Sequence, residues 1–368
     1  MSRPGSPVPP GPAPSASAEG AGRDSPGTGA AGSDGAGPGA AAAGTLPGAR
    51  WLRPLLRLMR ARAVRLSFLI VVLALLALAL ADQGDTLWRE VQRLSAPVML
   101  LAFALNFCGL MCSLMVWREL LADLGSRLSV PEAWRIFFIG QLAKYIPGSL
   151  WPLVAQAELG ADRGIPRSRS ALSVLLSYAV MTCSGGVVAA ITLPFATAGS
   201  VAQYFWVLLL VPVGVVLLSP PVLNRLLGLV LRLSRQPPLG RGVSYSGLAR
   251  TIAWALAGWT LNGLMVYVLM RQLAGDRQGT LLVSFGAYSL SWAAGFVAVF
   301  APAGAGVRDA VMIALLHTRA TTAVAFTIAL AARAISVLSD AAAGAAASAL
   351  VGRRRLQRLR EPRRSVDS

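Results

Sequence analysis

The chain has 368 residues, 55% of them hydrophobic and 14% charged, and its mean hydropathy is +0.60. That balance excludes an ordinary soluble domain, and several runs of about 18 or more apolar residues read as a polytopic membrane protein. The net charge of +18 sits beside these runs, where it serves orientation and anionic-lipid contact; no soluble basic domain is expected to bind nucleic acid.

Residues 1–49 are mostly Pro, Gly, Ala and Ser, cannot bury a core, and are expected to form a disordered cytoplasmic tail. In 50–65, arginines alternate with Leu and Trp from Arg50-Trp51 to Arg65, which predicts an amphipathic juxtamembrane segment on an anionic leaflet. The membrane domain is expected over 66–350. Its first span is about Leu66–Ala81 and its second about Pro97–Val116.

The next segment is unlike a simple span. Its arms, Ile136–Ile146 and Ser149–Leu159, are each too short to cross ~30 Å of hydrocarbon at ~1.5 Å per residue. Between them stand Lys144, Tyr145, Pro147 and Gly148. Lys144 is the only lysine among 34 basic residues. A cation and a broken backbone are tolerated at membrane depth only where protein or a wet cavity solvates them. The pattern predicts a hairpin that enters and leaves on one side. A lysine snorkelling at a loop edge is the plainer alternative.

Spans three, four and five are expected at about Ser170–Leu193, Ala202–Leu218 and Thr251–Met270, with a basic loop before the last. Gly185-Gly186 in span three predicts close helix packing. A second break follows: an arm Leu281–Phe300, then Pro302, Gly304, Gly306, Arg308 and Asp309, then a short arm Ala310–Leu316. The last span, about Thr321–Leu350, carries Arg333 and Asp340, and 351–368 is a basic tail. The expected fold is therefore an all-α polytopic membrane protein with about six full spans and two re-entrant or broken hairpins, or up to eight crossings.

Loops 51–65, 117–135, 163–169, 224–250 and 351–368 carry 23 arginines; the opposite set carries five, Arg89, Arg93, Arg271, Arg277 and Arg319. The positive-inside rule then puts both termini in the cytoplasm of a multi-pass protein of the cell membrane. The hairpins would open from opposite faces, a pointer to a transporter site near the midplane. Lys144, Glu158, Arg308, Asp309, Arg333 and Asp340 are the ionisable residues beside the breaks. Arg333 and Asp340 lie seven apart on one helix face. Two structural or gating ion pairs are open, Arg333 with Asp340 or Arg333 with Asp309. The cysteines Cys108, Cys112 and Cys183 read as small packing residues. His317 is the only histidine and stands far from them, so no metal or other cofactor is expected. No Gly-x-x-x-x-Gly-Lys-Ser/Thr loop is present, so transport would be passive or ion-coupled.

Gln141-Leu-Ala-Lys144-Tyr145-Ile-Pro147-Gly148, followed later by Pro302-Ala-Gly304-Ala-Gly306-Val-Arg308-Asp309, resembles the transmembrane region of lysylphosphatidylglycerol synthases. The resemblance covers about residues 60–350. Ala143 stands where that family commonly has Gly, and Asp309 where it commonly has Glu, which keeps the charge but shortens its reach. The resemblance implies a flippase-like domain that moves a phospholipid or lipid-linked headgroup between leaflets. It implies substrate contacts at Gln141, Lys144, Tyr145, Pro147, Gly148, Pro302, Gly304, Gly306, Arg308 and Asp309. Lys144 and Arg308 would engage a phosphate, with Tyr145 and Trp151 at headgroup level. The partners implied are anionic or aminoacylated phospholipids, or lipid-linked intermediates, and a separate lipid-modifying enzyme. In the fused synthases a cytosolic aminoacyltransferase domain makes the lipid; this chain has no room for it, so no enzyme is expected. Two other functions fit less well. One is a polytopic glycosyltransferase using a polyprenyl-phosphate sugar, for which Asp82 and Asp85 are the only candidate acids. The other is a non-transporting partner subunit of a cell-envelope enzyme.

Overall fold

A computed structural model describes residues 85–145, 151–196, 208, 210–275, 277–297, 304 and 306–360. The expected tail, juxtamembrane segment, first span, Asp82, Pro147, Gly148, Pro302 and the end of the basic tail lie outside these residues. Every regular element among the described residues is helical. After a helical stretch at 85–92 come α1 (Ala96–Asp123), α2 (Val130–Leu142), α3 (Trp151–Ala161), α4 (Arg167–Ala196) and α5 (Leu210–Leu217). They are followed by α6 (Pro220–Leu233), α7 (Tyr245–Ala274), α8 (Thr280–Val297), α9 (Val307–Leu316) and α10 (Thr322–Arg360).

The helix starts follow from local chemistry. Ser95, Ser129 and Ser219 sit at N-caps in extended conformation (ψ 145°, 154° and 142°), each with proline in the first turn. Proline there loses no hydrogen bond and presets φ. At α7 the N-cap Ser244 hydroxyl accepts from the Gly247 N–H at 3.0 Å. The Glu132 carboxylate accepts from the Ser129 hydroxyl at 2.7 Å. That bond, and then Arg163, holds the carboxyl below the usual carboxylate range.

Five helices are long and apolar enough to cross a membrane: α1, α4, α7, α8 and the first 28 residues of α10. A sixth candidate is the bent pair α5–α6, whose axes meet at 56°. Exposed Leu100, Leu101, Ile191, Phe195, Val215 and Leu338 give the bundle the apolar exterior that lipid demands. The core lies along α1 and α7, which pack most extensively on each other. Small residues bring them close: a Cβ on Gly258 would lie 3.3 Å from Cys112 Cβ and 3.5 Å from Gly109 O. Of the pair in α4, Gly185 faces the Trp259 ring, where a Cβ would come within 2.8 Å, whereas Gly186 faces open space. The packing role read for the cysteines holds for buried Cys112; Cys108 is exposed.

The two ends of the bundle differ in charge. At one end Arg169 donates to Ser126 Oγ at 2.8 Å, and Ser244 donates to Asp123, joining α4, α1 and α7. Arg118, Arg127, Arg163, Arg167, Arg241 and Arg250 cluster around this end. At the other, Gln272 donates to Arg93 O at 2.8 Å and Arg319 donates to Ala196 O.

Both hairpins form. α2 and α3 have 13 and 11 residues, roughly 20 and 17 Å, well short of a ~30 Å core. An Arg163–Glu132 ion pair ties their open ends together at the arginine-rich end. Near the tip, Gly140 lets Gln156 approach; a Cβ there would meet Gln156 Cγ at 2.3 Å. α8 and α9 make the second hairpin, with its open ends at the other end of the bundle. α8, at 18 residues, meets the length and composition of a span, and α9, at 10, does not.

One expectation is corrected here. The segment after the fourth span, expected as a basic loop, contains α6. Leu223, Leu227 and Leu231 recur every fourth residue and are buried, with Arg225 and Arg232 exposed. The helix is amphipathic, with this leucine row packed on the protein. Asn224 fixes it to the chain before α7, donating to Val243 O at 3.0 Å and accepting from Val243 N–H at 2.7 Å.

Candidate functional site

The first break is a short 3-10 turn, Ala143–Tyr145, that ends α2. It carries Lys144 to the last span. Lys144 Nζ lies 2.7 Å from Asp340 Oδ2, and the Tyr145 hydroxyl donates to the same oxygen at 2.6 Å. Asp340 is 5% exposed. A buried carboxylate needs such partners, and here a cation and a phenol supply them.

The second break ends at Gly306, whose φ of +82° aims the chain into α9. Asp309 closes this turn: its Oδ2 accepts from the Gly306 N–H at 3.0 Å. The same carboxylate takes a two-pronged contact from Arg333, Nη2 to Oδ2 at 2.6 Å and Nε to Oδ1 at 3.2 Å. The planar fork matches a carboxylate, so this pair fixes α9 against α10. Of the two pairings open from sequence, the Arg333–Asp309 one forms. Arg333 and Asp340 share a helix, but each is engaged by a different break. Two ion pairs thus bind both breaks to α10, at positions two turns apart along that helix.

A cavity of about 110 Å³ lies between the breaks. Gln141, Lys144, Arg308 and Asp340 line it, so residues of both motifs face one space. Among the described residues Arg308 has no ion pair; its guanidinium stands 4.9 Å from the centre of the Tyr288 ring. The Gln141 side-chain oxygen is buried and has no hydrogen-bond partner among the described residues. Lys144 and Arg308 give this cavity two cations suited to an anion with oxygen atoms, and the Gln141 oxygen, an acceptor, is suited to a donor group beside that anion. Asp309, Gly304, Gly306, Tyr145 and Arg333 do not line it; they shape the turns and hold the lining residues. Glu158 is not part of the site: it is exposed and pairs with Arg167 at 2.8 Å. Trp151 is 48% exposed at the start of α3, and Asp85 is exposed at the start of the helical stretch before α1.

Sequence reasoning missed most of the wall. Asn106 on α1 and Asn262 on α7 line the cavity, and Asn106 Nδ2 donates to Asn262 Oδ1 at 2.7 Å. Trp259, Tyr288 and Trp292 add an aromatic side, with Trp259 Nε1 donating to Ser184 Oγ at 3.0 Å. The signal was there: an asparagine inside an apolar run faces protein or a cavity, because lipid cannot satisfy it.

Comparison with curated proteins finds no match. A family described as lysylphosphatidylglycerol synthase TM region matches residues 63–344, from before α1 to within α10, and so covers both breaks and the cavity between them. The chain is therefore a multi-pass membrane protein belonging to the lysylphosphatidylglycerol synthase transmembrane-region family.

Proposed function

We propose that this chain is a flippase-like transporter that moves a phospholipid, or a lipid-linked headgroup, between leaflets of the cell membrane. The observation that carries this reading is the shared cavity: hairpins from opposite ends of the bundle bring Lys144 and Arg308 to one space. A headgroup phosphate entering it would compete with Asp340 for Lys144. Arg308, which has no ion pair among the described residues, would be the second contact. A cavity of about 110 Å³ has no room for acyl chains, so these would stay in the bilayer. The substrates proposed are anionic or aminoacylated lipids, supplied by a separate lipid-modifying enzyme. The chain itself needs no catalytic group for this role. The arginine-rich end would face the cytoplasm, and both termini with it.

The test is leaflet exposure of labelled anionic lipid in reconstituted vesicles. A charge-assisted hydrogen bond is worth about 1.5–3 kcal/mol, so Lys144→Ala and Arg308→Ala should each slow movement by roughly tenfold or more. Lys144→Arg should keep part of the rate, since charge persists though shape and hydration change. Wild-type rates in both alanine variants, at matched protein levels, would refute the proposed site.

A further inference from the structure

A second cavity lies at the arginine-rich end, between the last turns of α1, the 124–129 turn and the chain entering α7. Its volume is about 530 Å³, and Arg118, Glu119, Asp123, Arg127, Arg241 and Arg250 line it. It shares no lining residue with the cavity of Lys144 and Arg308.

Its charges divide into two groups. Glu119 is held by Arg250 Nε at 2.9 Å and Arg118 Nη1 at 3.4 Å, and Arg118 Nε also donates to Leu128 O at 2.9 Å. Asp123 accepts from the Ser244 N–H at 2.6 Å and the Ser244 hydroxyl at 2.7 Å. Both carboxylates are thus engaged in the frame that joins α1 to α7. Arg127 and Arg241 are exposed and make no side-chain hydrogen bond or ion pair with any described residue. Two guanidinium groups remain after the acids are satisfied.

We propose that this cavity binds a phosphate-bearing anion through Arg127 and Arg241. Two guanidinium forks match the charge and the oxygen geometry of a phosphate monoester or diphosphate. The volume is in the range of small-ligand sites, so it admits the group that carries the phosphate. That carrier is a lipid headgroup reaching up from the leaflet, or a soluble phosphate compound. The proposal needs no transport and stands apart from the flippase reading.

The experiment uses the purified full chain in two arms. In detergent, pyrophosphate is titrated by calorimetry. In nanodiscs of phosphatidylcholine doped with phosphatidic acid, bound lipid is counted by native mass spectrometry. Both arms use the Lys144→Ala/Arg308→Ala background, which removes the cations of the other cavity; saturable binding is expected there in at least one arm, and the arm that responds names the source. The Arg127→Gln/Arg241→Gln double variant should weaken that binding by roughly tenfold or more, the factor that a single charge-assisted hydrogen bond supplies. Neither side chain bonds to the frame, so thermal unfolding should match that of the background chain. Arg225→Gln/Arg232→Gln removes the same charge from α6, outside the cavity, and should leave binding unchanged. No binding of either probe, undiminished binding in the cavity variant, or an equal weakening in the α6 variant would each overturn the proposal.

Discussion

Gly295 and Gly304 meet backbone against backbone: a Cβ on Gly304 would lie 3.0 Å from the Cα of Gly295. This contact seats the turn before α9 against α8. It also sets the position of Arg308, whose Cβ would lie 3.0 Å from a Cβ on Gly295. Gly304 has φ +68° as well, a conformation that costs other residues about 1–2 kcal/mol. Gly304→Ala adds a clash to that strain and should cost about 2–4 kcal/mol in total. Gly164 is the comparator: its φ is +73°, but nothing lies near its missing Cβ. Thermal unfolding in detergent should fall further for Gly304→Ala than for Gly164→Ala. An equal fall would show that the backbone contact carries no weight.

The two ion pairs make opposite predictions for rescue. Arg333→Gln leaves Asp309 without its fork, and Asp309→Asn should restore part of the stability. Asp340→Asn should not, because Asp340 is engaged by Lys144 at 2.7 Å. A double-mutant cycle on thermal unfolding should give a coupling of about 1–3 kcal/mol for Arg333 with Asp309 and near zero for Arg333 with Asp340. Rescue by Asp340→Asn alone would mean that the pairing within the helix is the one that matters.

How much of this was legible differs by residue. The five long helices were, because a lipid core demands a length of apolar chain that the sequence shows directly. The first hairpin was too, since Lys144 cannot sit in hydrocarbon without a break and a partner. The partner of Arg333 was not. Spacing along α10 puts Asp340 on its face, but only the turn at Gly306 brings Asp309 within reach. α6 was hidden for a related reason. Its arginines read as loop charge, while the recurrence of Leu223, Leu227 and Leu231 that makes it a helix is short. Asn106 and Asn262 could be suspected singly. That they meet depends on the close packing of α1 on α7, which sequence spacing does not give.

The proposed orientation rests on where the arginines gather. Asp123 and Ser244 join the C-terminus of α1 to the N-terminus of α7, and Asn224 ties α6 to the same end. Gln236 lies exposed just after α6 at this end. Gln278 and Thr318 lie exposed at the other, beside the start of α8 and the end of α9. With Cys108, Cys112 and Cys183 replaced by serine or alanine, single cysteines at these three positions can be tagged in intact cells. Gln236→Cys should react only after the membrane is permeabilised, and Gln278→Cys and Thr318→Cys should react before it. The reverse pattern would put the arginine-rich end outside and overturn the orientation. Agreement of Gln236→Cys with Thr318→Cys would go further: it would mean that α8, α9 and α6 do not lie on opposite sides, and that the second hairpin does not open away from the first.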